Sequence, residues 1–494
     1  MTSPATAGET PGQAPSVRRV SVSPPSRKTS DEASAQTSAQ TSGQQRPPGP
    51  AAGREAAGRR PGGRGAELAA AGAAAALFAA AALVGAAIND DDVLHMSWPP
   101  VFGNWEPHAG PGTPAALLVA ALLVAAGPRS ARRLPWRGLP LATACASLAW
   151  VWSLALVDGW RDGVVDRLAT GEEYLTVVDE IHGTGGFLRT FTDHILLHSP
   201  DNWPAHVAGH PPGATLTFVL LDRIGLGGGA WASAFVITAA ASAAAAVLLT
   251  LRVVAGEETA RRAAPFLALA PGAVWLGASA DAYFAAVAAW AVALLALATG
   301  RDAGRARRIA AALGSGLLFG LLLYLSYGLV LMGLVALAVL LLARDARPLP
   351  WVVLGILPWV VAFTAAGFWW FDGYSTLHER YYQGVGGVRP YGYFVWANLA
   401  VQVLSVGLAT AAGLARAARR PRTPPAVLVG AAACAMLLAD LSGMSKAETE
   451  RIWLPFALWL LPATALLDRR GTRGWLAAQA VLALAVNHLL TTRW

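Results

Sequence analysis

Residues 158–213 read DGWRDGVVDRLATGEEYLTVVDEIHGTGGFLRTFTDHILLHSPDNWPAHVAGHPPG; an apolar run continues to residue 226, and GLGGG occupies 225–229. Acidic residues, histidines and tryptophans concentrate here, in a chain otherwise built mostly of Ala, Leu and Val. Outside the N-terminal tail this is the longest stretch that does not read as a membrane span, so its placement decides the fold. The surroundings are those of a membrane protein. Of 494 residues 55% are hydrophobic and only 14% charged, against about 25% charged in soluble domains. Mean hydropathy is +0.44. Apolar runs of about 17 residues or more, the length a helix needs to cross a bilayer, recur along the chain. The fold class expected is all-α: a polytopic membrane protein with about thirteen transmembrane helices and an external loop, 158–229, carrying interfacial helices.

The net charge of +8 is almost entirely arginine, placed in a tail and in short loops, which is the positive-inside pattern and not a nucleic-acid surface. Residues 1–65, rich in Pro, Ser, Gln and Gly with Arg18, Arg19, Arg27, Arg54, Arg59, Arg60 and Arg64, cannot bury enough apolar surface to offset ordering. They read as a disordered basic cytoplasmic tail, too long and polar for a signal peptide. Residues 66–138 hold two spans, separated by an outer loop with Asp90, Asp91, Asp92 and His95 and closed by Arg129, Arg132, Arg133 and Arg137. Residues 139–300 form the next unit. Arg301, Arg305, Arg307 and Arg308 mark a cytoplasmic turn and put Asp281 at the outer face. The run 213–226 is then too short to cross and lies in the outer interface. Residues 301–494 form a C-terminal bundle with outer loops 371–393 and 441–451. The expected location is the plasma (inner) membrane with a cytoplasmic N-terminus. Cys145 and Cys434, both inside apolar runs, read as small core residues.

The candidate chemistry is at the outer ends of these spans. Glu172 and Glu173 are adjacent carboxylates, only one of which can face a given site; a helix start that favours Glu explains them equally. His210 precedes Pro211-Pro212, which hold it at the mouth of a helix. Asp281 ends an apolar span, where an ionisable residue is a functional candidate or an N-cap. Lys446, one of two lysines in the chain, lies near Glu448, Glu450 and Arg451; these cations suit a phosphate or pair with their neighbours. Tyr381 and Arg389 belong to a Tyr- and Arg-rich loop that suits a sugar ring or a headgroup belt. The aspartates at 90–92 with His95, or the histidines at 182, 194, 198, 206 and 210, lack metal-ligand spacing.

The order of these pieces, GEEYL, then HPPG opening an apolar helix, then FLALAPGAVWLGASAD ending in Asp281, resembles the polytopic glycosyltransferases of the GT-C class. It is most similar to users of polyprenyl-phosphate sugars such as protein O-mannosyltransferases and the aminoarabinose transferase of lipid A. The resemblance covers roughly 139–300. That family usually begins the acidic pair with Asp and has Lys before and Leu after the Pro-Pro, where this chain has Glu172, His210 and Gly213. Two additional spans precede the matching region. Asp158 and Asp162 compete with the Glu pair for the base.

The resemblance implies transfer of a sugar from a lipid-phosphate carrier to a glycan, lipid or protein acceptor on the outer face, as in bacterial cell-envelope assembly. Glu172 or Glu173 would be the base and Asp281 would orient the reacting centre. Lys446 and Arg451 would hold the phosphate, with His210, Glu450, Tyr381 and Arg389 lining the site. It implies no cofactor and no metal. The competing readings are a lipid or solute transporter, which calls for charges buried mid-span, and an inactive scaffold.

Overall fold

The computed structural model describes residues 63–300 and 303–492; the expected tail, 1–65, lies almost entirely outside them, as does Arg301. The described chain is an all-helical, multi-pass membrane protein. Its β-structure among the described residues is a short antiparallel ribbon, Gly103–Trp105 with Leu490–Thr492, and one isolated bridge.

Among the described residues seven helices are long and apolar enough to span: Gly63–Ile88, Thr113–Arg133, Trp136–Asp158, Gly229–Ala255, Ala280–Thr299, Arg305–Leu325 and Pro424–Leu441. Counting each of two sharply bent pairs as one span raises the number to nine, below the thirteen expected. The shortfall arises because several apolar runs are interrupted helices. The apolar run 263–279 falls on Glu257–Ala268 followed by Ala273–Leu276, divided at Pro271, which cannot continue a helical hydrogen-bond ladder. The apolar run 452–467 is a series of short turns.

The two innermost helices are Ala280–Thr299 and Gly229–Ala255, with 83% and 67% of their apolar windows buried, whereas Gly63–Ile88 is only 17% buried. Apolar character all round a helix suits either protein or lipid surroundings, so composition alone does not rank them. Side-chain size does. Alanines at 282, 285, 286, 288, 289 and 291 are buried in the central helix and let neighbouring backbones approach closely. Gly316 and Gly355 do the same where Arg305–Leu325 crosses Leu349–Ala365: a Cβ on Gly316 would lie 2.1 Å from the Val352 carbonyl oxygen. Cys145 and Cys434 are corrections to the core reading. Both are exposed, because the outside of an apolar span faces lipid and needs no polar residue.

The pair Tyr391–Val406 and Leu408–Arg419 turns through 110° at Gly407, whose φ of +81° is a left-handed conformation glycine adopts without strain. Gln479, buried on Thr472–Leu489, bridges the break. Its amide donates to the Val406 carbonyl at 2.9 Å and its carbonyl accepts from Ala409 N–H at 3.2 Å. Backbone groups released inside a bilayer need such partners. Gln479→Leu, which orphans both, is expected to lower stability by about 2–4 kcal/mol, read as thermal unfolding in detergent; an unchanged midpoint would show that the break satisfies itself.

Residues 158–229 do not cross. They form short 3-10, π and α turns, followed by Gly213–Arg223. At 11 residues that helix rises about 16 Å, half a bilayer core. One side packs inward through Phe218, Val219 and Leu221, while Leu220 and Ile224 are exposed, as expected for a helix lying along a surface. We call the end of the molecule that carries these turns the loop face.

Candidate functional site

Three segments meet at the loop face. Glu173 immediately precedes the 3-10 turn Tyr174–Glu180, Asp281 lies in the first turn of Ala280–Thr299, and Arg451 lies in Thr449–Ile452. Exposure of these three side chains is 4% or less. Asp281 is not the N-cap. Ser279 is, its hydroxyl accepting from Ala282 N–H at 3.3 Å, which leaves the Asp281 carboxylate in a first turn that favours negative charge and free to accept from Arg451.

Arg451 also donates to Glu448 at 2.8 Å and reaches His206 Nε2 at 3.4 Å. A guanidinium only donates, so Nε2 must accept and the ring proton sits on Nδ1. Nδ1 lies 2.8 Å from Glu173 Oε1. The result is a continuous chain, Glu173–His206–Arg451–Asp281, with Glu448 beside it. Glu173 Oε2 is buried and has no hydrogen-bond partner among the described residues. Burial opposes the Arg451 charge, but Asp281, Glu448 and Glu173 more than restore it, and its pKa rises above the ordinary value.

His210 adjoins this chain. Its Nδ1 is 2.8 Å from the Tyr174 hydroxyl and 2.9 Å from the His206 carbonyl oxygen. Burial lowers its pKa, against the pull of Asp281, which favours a neutral imidazole. Burial, then Glu173 and Asp281, raise the pKa of Tyr174, so its phenol stays protonated. Glu172, by contrast, is exposed and accepts from Ala205 N–H at 3.3 Å. The structure therefore separates the acidic pair into one buried and one surface carboxylate.

The loop 442–452 is held by side chains with helical spacing. Asn398, Gln402 and Ser405, on one face of Tyr391–Val406, bond the Ser445, Thr449 and Glu450 carbonyls at 2.6, 2.7 and 2.9 Å. Arg389 donates to the carbonyls of Leu94, His95 and Lys446 and lies 3.8 Å from Glu448. Within this clamp Ala447 and Glu448 take φ of +76° and +60°, a left-handed conformation that side chains with a Cβ adopt at a cost of about 1–2 kcal/mol each. Such strain persists only where the surroundings impose it.

Lys446 Nζ donates to Gly386 O at 2.8 Å and lies 5.5 Å from the Tyr382 ring centroid; burial lowers its pKa. Tyr381 accepts from Lys446 N–H at 3.0 Å, and burial pushes its phenol up to about 12. Arg380, close enough to Glu172 for that carboxylate to oppose its downward pKa shift on burial, has a buried Nη1 without a hydrogen-bond partner among the described residues. The sequence places His206, Glu448 and Arg380 within candidate loops but assigns none of them a role in the site. The Asn398, Gln402, Ser405 stripe in an apolar helix was the available signal.

Glu450, expected to bind substrate, is fully buried and accepts from Phe102 N–H at 3.0 Å. Burial raises its pKa from 4.5 to about 7. The folded protein therefore holds this proton where an unfolded carboxylate releases it. The stabilisation is complete below about pH 4.5 and is lost as pH rises through about 7, by about 3–4 kcal/mol. Unfolding measured between about pH 5 and pH 7.5 should show this decline, and Glu450→Gln should flatten it; an identical slope in the variant would assign it to other groups.

Asp158 lies apart from the chain. It accepts from Arg167 and lies 2.7 Å from His108 Nε2, lining a cleft of about 600 Å³ together with Glu106, Asp162 and Asp166. No group of three or more His, Cys, Asp or Glu among the described residues is placed to hold a metal ion.

Comparison by sequence matches the chain to no family profile and to no curated protein. Comparison by structure finds ArnT from Cupriavidus metallidurans in the apo state, with TM-score 0.42 and 18% identity over 68% of this chain and 60% of that one. It also finds the oligosaccharyltransferase of Archaeoglobus fulgidus in its apo form, with TM-score 0.46 and 16% identity over 73% of this chain and 57% of that one. The chain spans little more than half of the length of each.

Proposed function

We propose that this protein is a membrane glycosyltransferase, moving a hexosyl or pentosyl unit from a polyprenyl-phosphate carrier to an acceptor hydroxyl on the extracytoplasmic face of a bacterial plasma membrane, in assembly of envelope glycan or lipoglycan. The observation that carries the reading is the buried Glu173–His206–Arg451–Asp281 chain with one carboxylate oxygen unpartnered. The reaction needs a group to take the acceptor proton and cations for the phosphate that leaves. Glu173 Oε2 is the base, with His206 fixing the other oxygen. The acceptor oxygen bonds to the sugar's anomeric carbon as the bond to phosphate breaks, and the proton passes to Glu173. Lys446 and Arg380, which retain unused donors, meet the released phosphate, and Arg451 holds Asp281 and Glu448 in register. Val385 and Val388, exposed on the turn whose Gly386 carbonyl accepts from Lys446, offer an apolar surface for the carrier's chain.

The charges of this network sit at helix ends and not mid-span, which favours surface chemistry over transport. The discriminating experiment supplies sealed vesicles containing the purified protein with radiolabelled polyprenyl-phosphate sugars and acceptor extracts. Transfer of label to an acceptor with release of polyprenyl phosphate supports the enzyme. Movement of intact donor across the bilayer without transfer supports the transporter, and neither event supports the scaffold.

A further inference from the structure

At the end of the molecule opposite the loop face, five arginines from two distant segments line one cavity of about 270 Å³. Arg129 and Arg132 come from one face of the last turns of Thr113–Arg133. Arg469, Arg470 and Arg473 come from the turn that starts Thr472–Leu489, with Thr472 between them. These two helices lie side by side and antiparallel. Thr113 meets His488 at 3.0 Å at one end, and Arg473 donates to Ala125 O at 2.9 Å at the other.

Negative charge around the cavity is scarce. Glu258 pairs with Arg469, and Asp468 accepts from Arg470 N–H at 3.1 Å as the cap of its turn. The side chains of Arg129, Arg132 and Arg470 have no hydrogen bond or ion pair among the described residues. Cations at the end of Thr113–Arg133 agree with its dipole. At the start of Thr472–Leu489 they oppose it, because a helix N-terminus favours negative charge and Gly471 offers no side-chain cap. Five converging guanidiniums and a helix N-terminus without a side-chain cap make a concentrated positive field. Loop-charge statistics explain arginines in each segment but not their convergence on one cavity.

We propose that this cavity binds a phosphate group, with the arginines as its fork-like donors and the positive end of the Thr472–Leu489 dipole adding to their field. Its place, just past the apolar part of Thr113–Arg133, is at headgroup depth, where basic pockets between helices receive anionic lipid. The test uses the full chain in phosphatidylcholine nanodiscs, with and without phosphatidylglycerol, and separately with inorganic phosphate. The readouts are thermal unfolding and the lipid retained after detergent washing, by mass. Wild type should be stabilised, and the triple variant Arg129→Gln/Arg132→Gln/Arg470→Gln should bind at least about tenfold more weakly. Arg305→Gln/Arg307→Gln, which removes charge from the same end outside the cavity, should behave as wild type. Stabilisation by phosphatidylglycerol alone assigns a lipid headgroup, and stabilisation by inorganic phosphate as well assigns a soluble source. No stabilisation by either, or equal loss in both variants, overturns the site.

Discussion

Glu173→Gln is expected to reduce kcat for sugar transfer by about 10²–10⁴-fold, the usual contribution of a positioned general base, with little change in KM for the lipid-linked donor. Gln keeps the shape and still reaches His206 Nδ1, 2.8 Å from the native oxygen, but cannot take a proton. Glu172→Gln, at an exposed carboxylate that accepts from Ala205 N–H at 3.3 Å, should stay within a few-fold of wild type. Measured in the vesicle assay, the reverse ranking would move the base to the surface carboxylate. Full activity in both variants would remove the acidic pair from the mechanism, leaving Asp158 in its separate cleft as the next candidate.

The second large effect is on stability. Arg451→Gln leaves Asp281 without its guanidinium and Glu448 with only the more distant Arg389, and breaking a buried pair from one side costs about 3–5 kcal/mol. Thermal unfolding in detergent should fall accordingly, and transfer should be lost with it. Asp281→Asn in the same chain removes the orphaned buried charge and should recover much of the stability but none of the activity. That split separates a positioning role in the site from a purely structural one. If the double variant is no more stable than Arg451→Gln alone, the two residues do not act as a pair.

These expectations also show how far the residues alone carried. The carboxylates at 172, 173 and 281 and the cations at 446 and 451 drew attention because charge is scarce in this chain, and burying charge needs a partner. Their pairing was not legible. Glu173, Asp281 and Arg451 are contributed by segments up to 278 residues apart (451 minus 173), and neither periodicity nor spacing links them. His206 looked like one of several histidines in a loop, and its importance comes from lying between Glu173 and Arg451. Glu450 read as a carboxylate lining a substrate site on an outer loop. It is buried because Ser405 and Phe102 close over it.

The sequence by itself determined that this is an all-helical membrane protein, that residues 158–229 do not cross, and that its polar chemistry is concentrated at span ends. Hydropathy and the cost of unpaired backbone in lipid act locally, so a single chain reveals them. Only the tertiary structure decided which helices are central, where apolar runs break, and which carboxylate of 172 and 173 is buried. Packing and ion pairing depend on residues brought together from distant parts of the chain. The stretch 158–213 was legible as a loop; that its Glu173 meets Asp281 and Arg451 through His206 was decided by the fold.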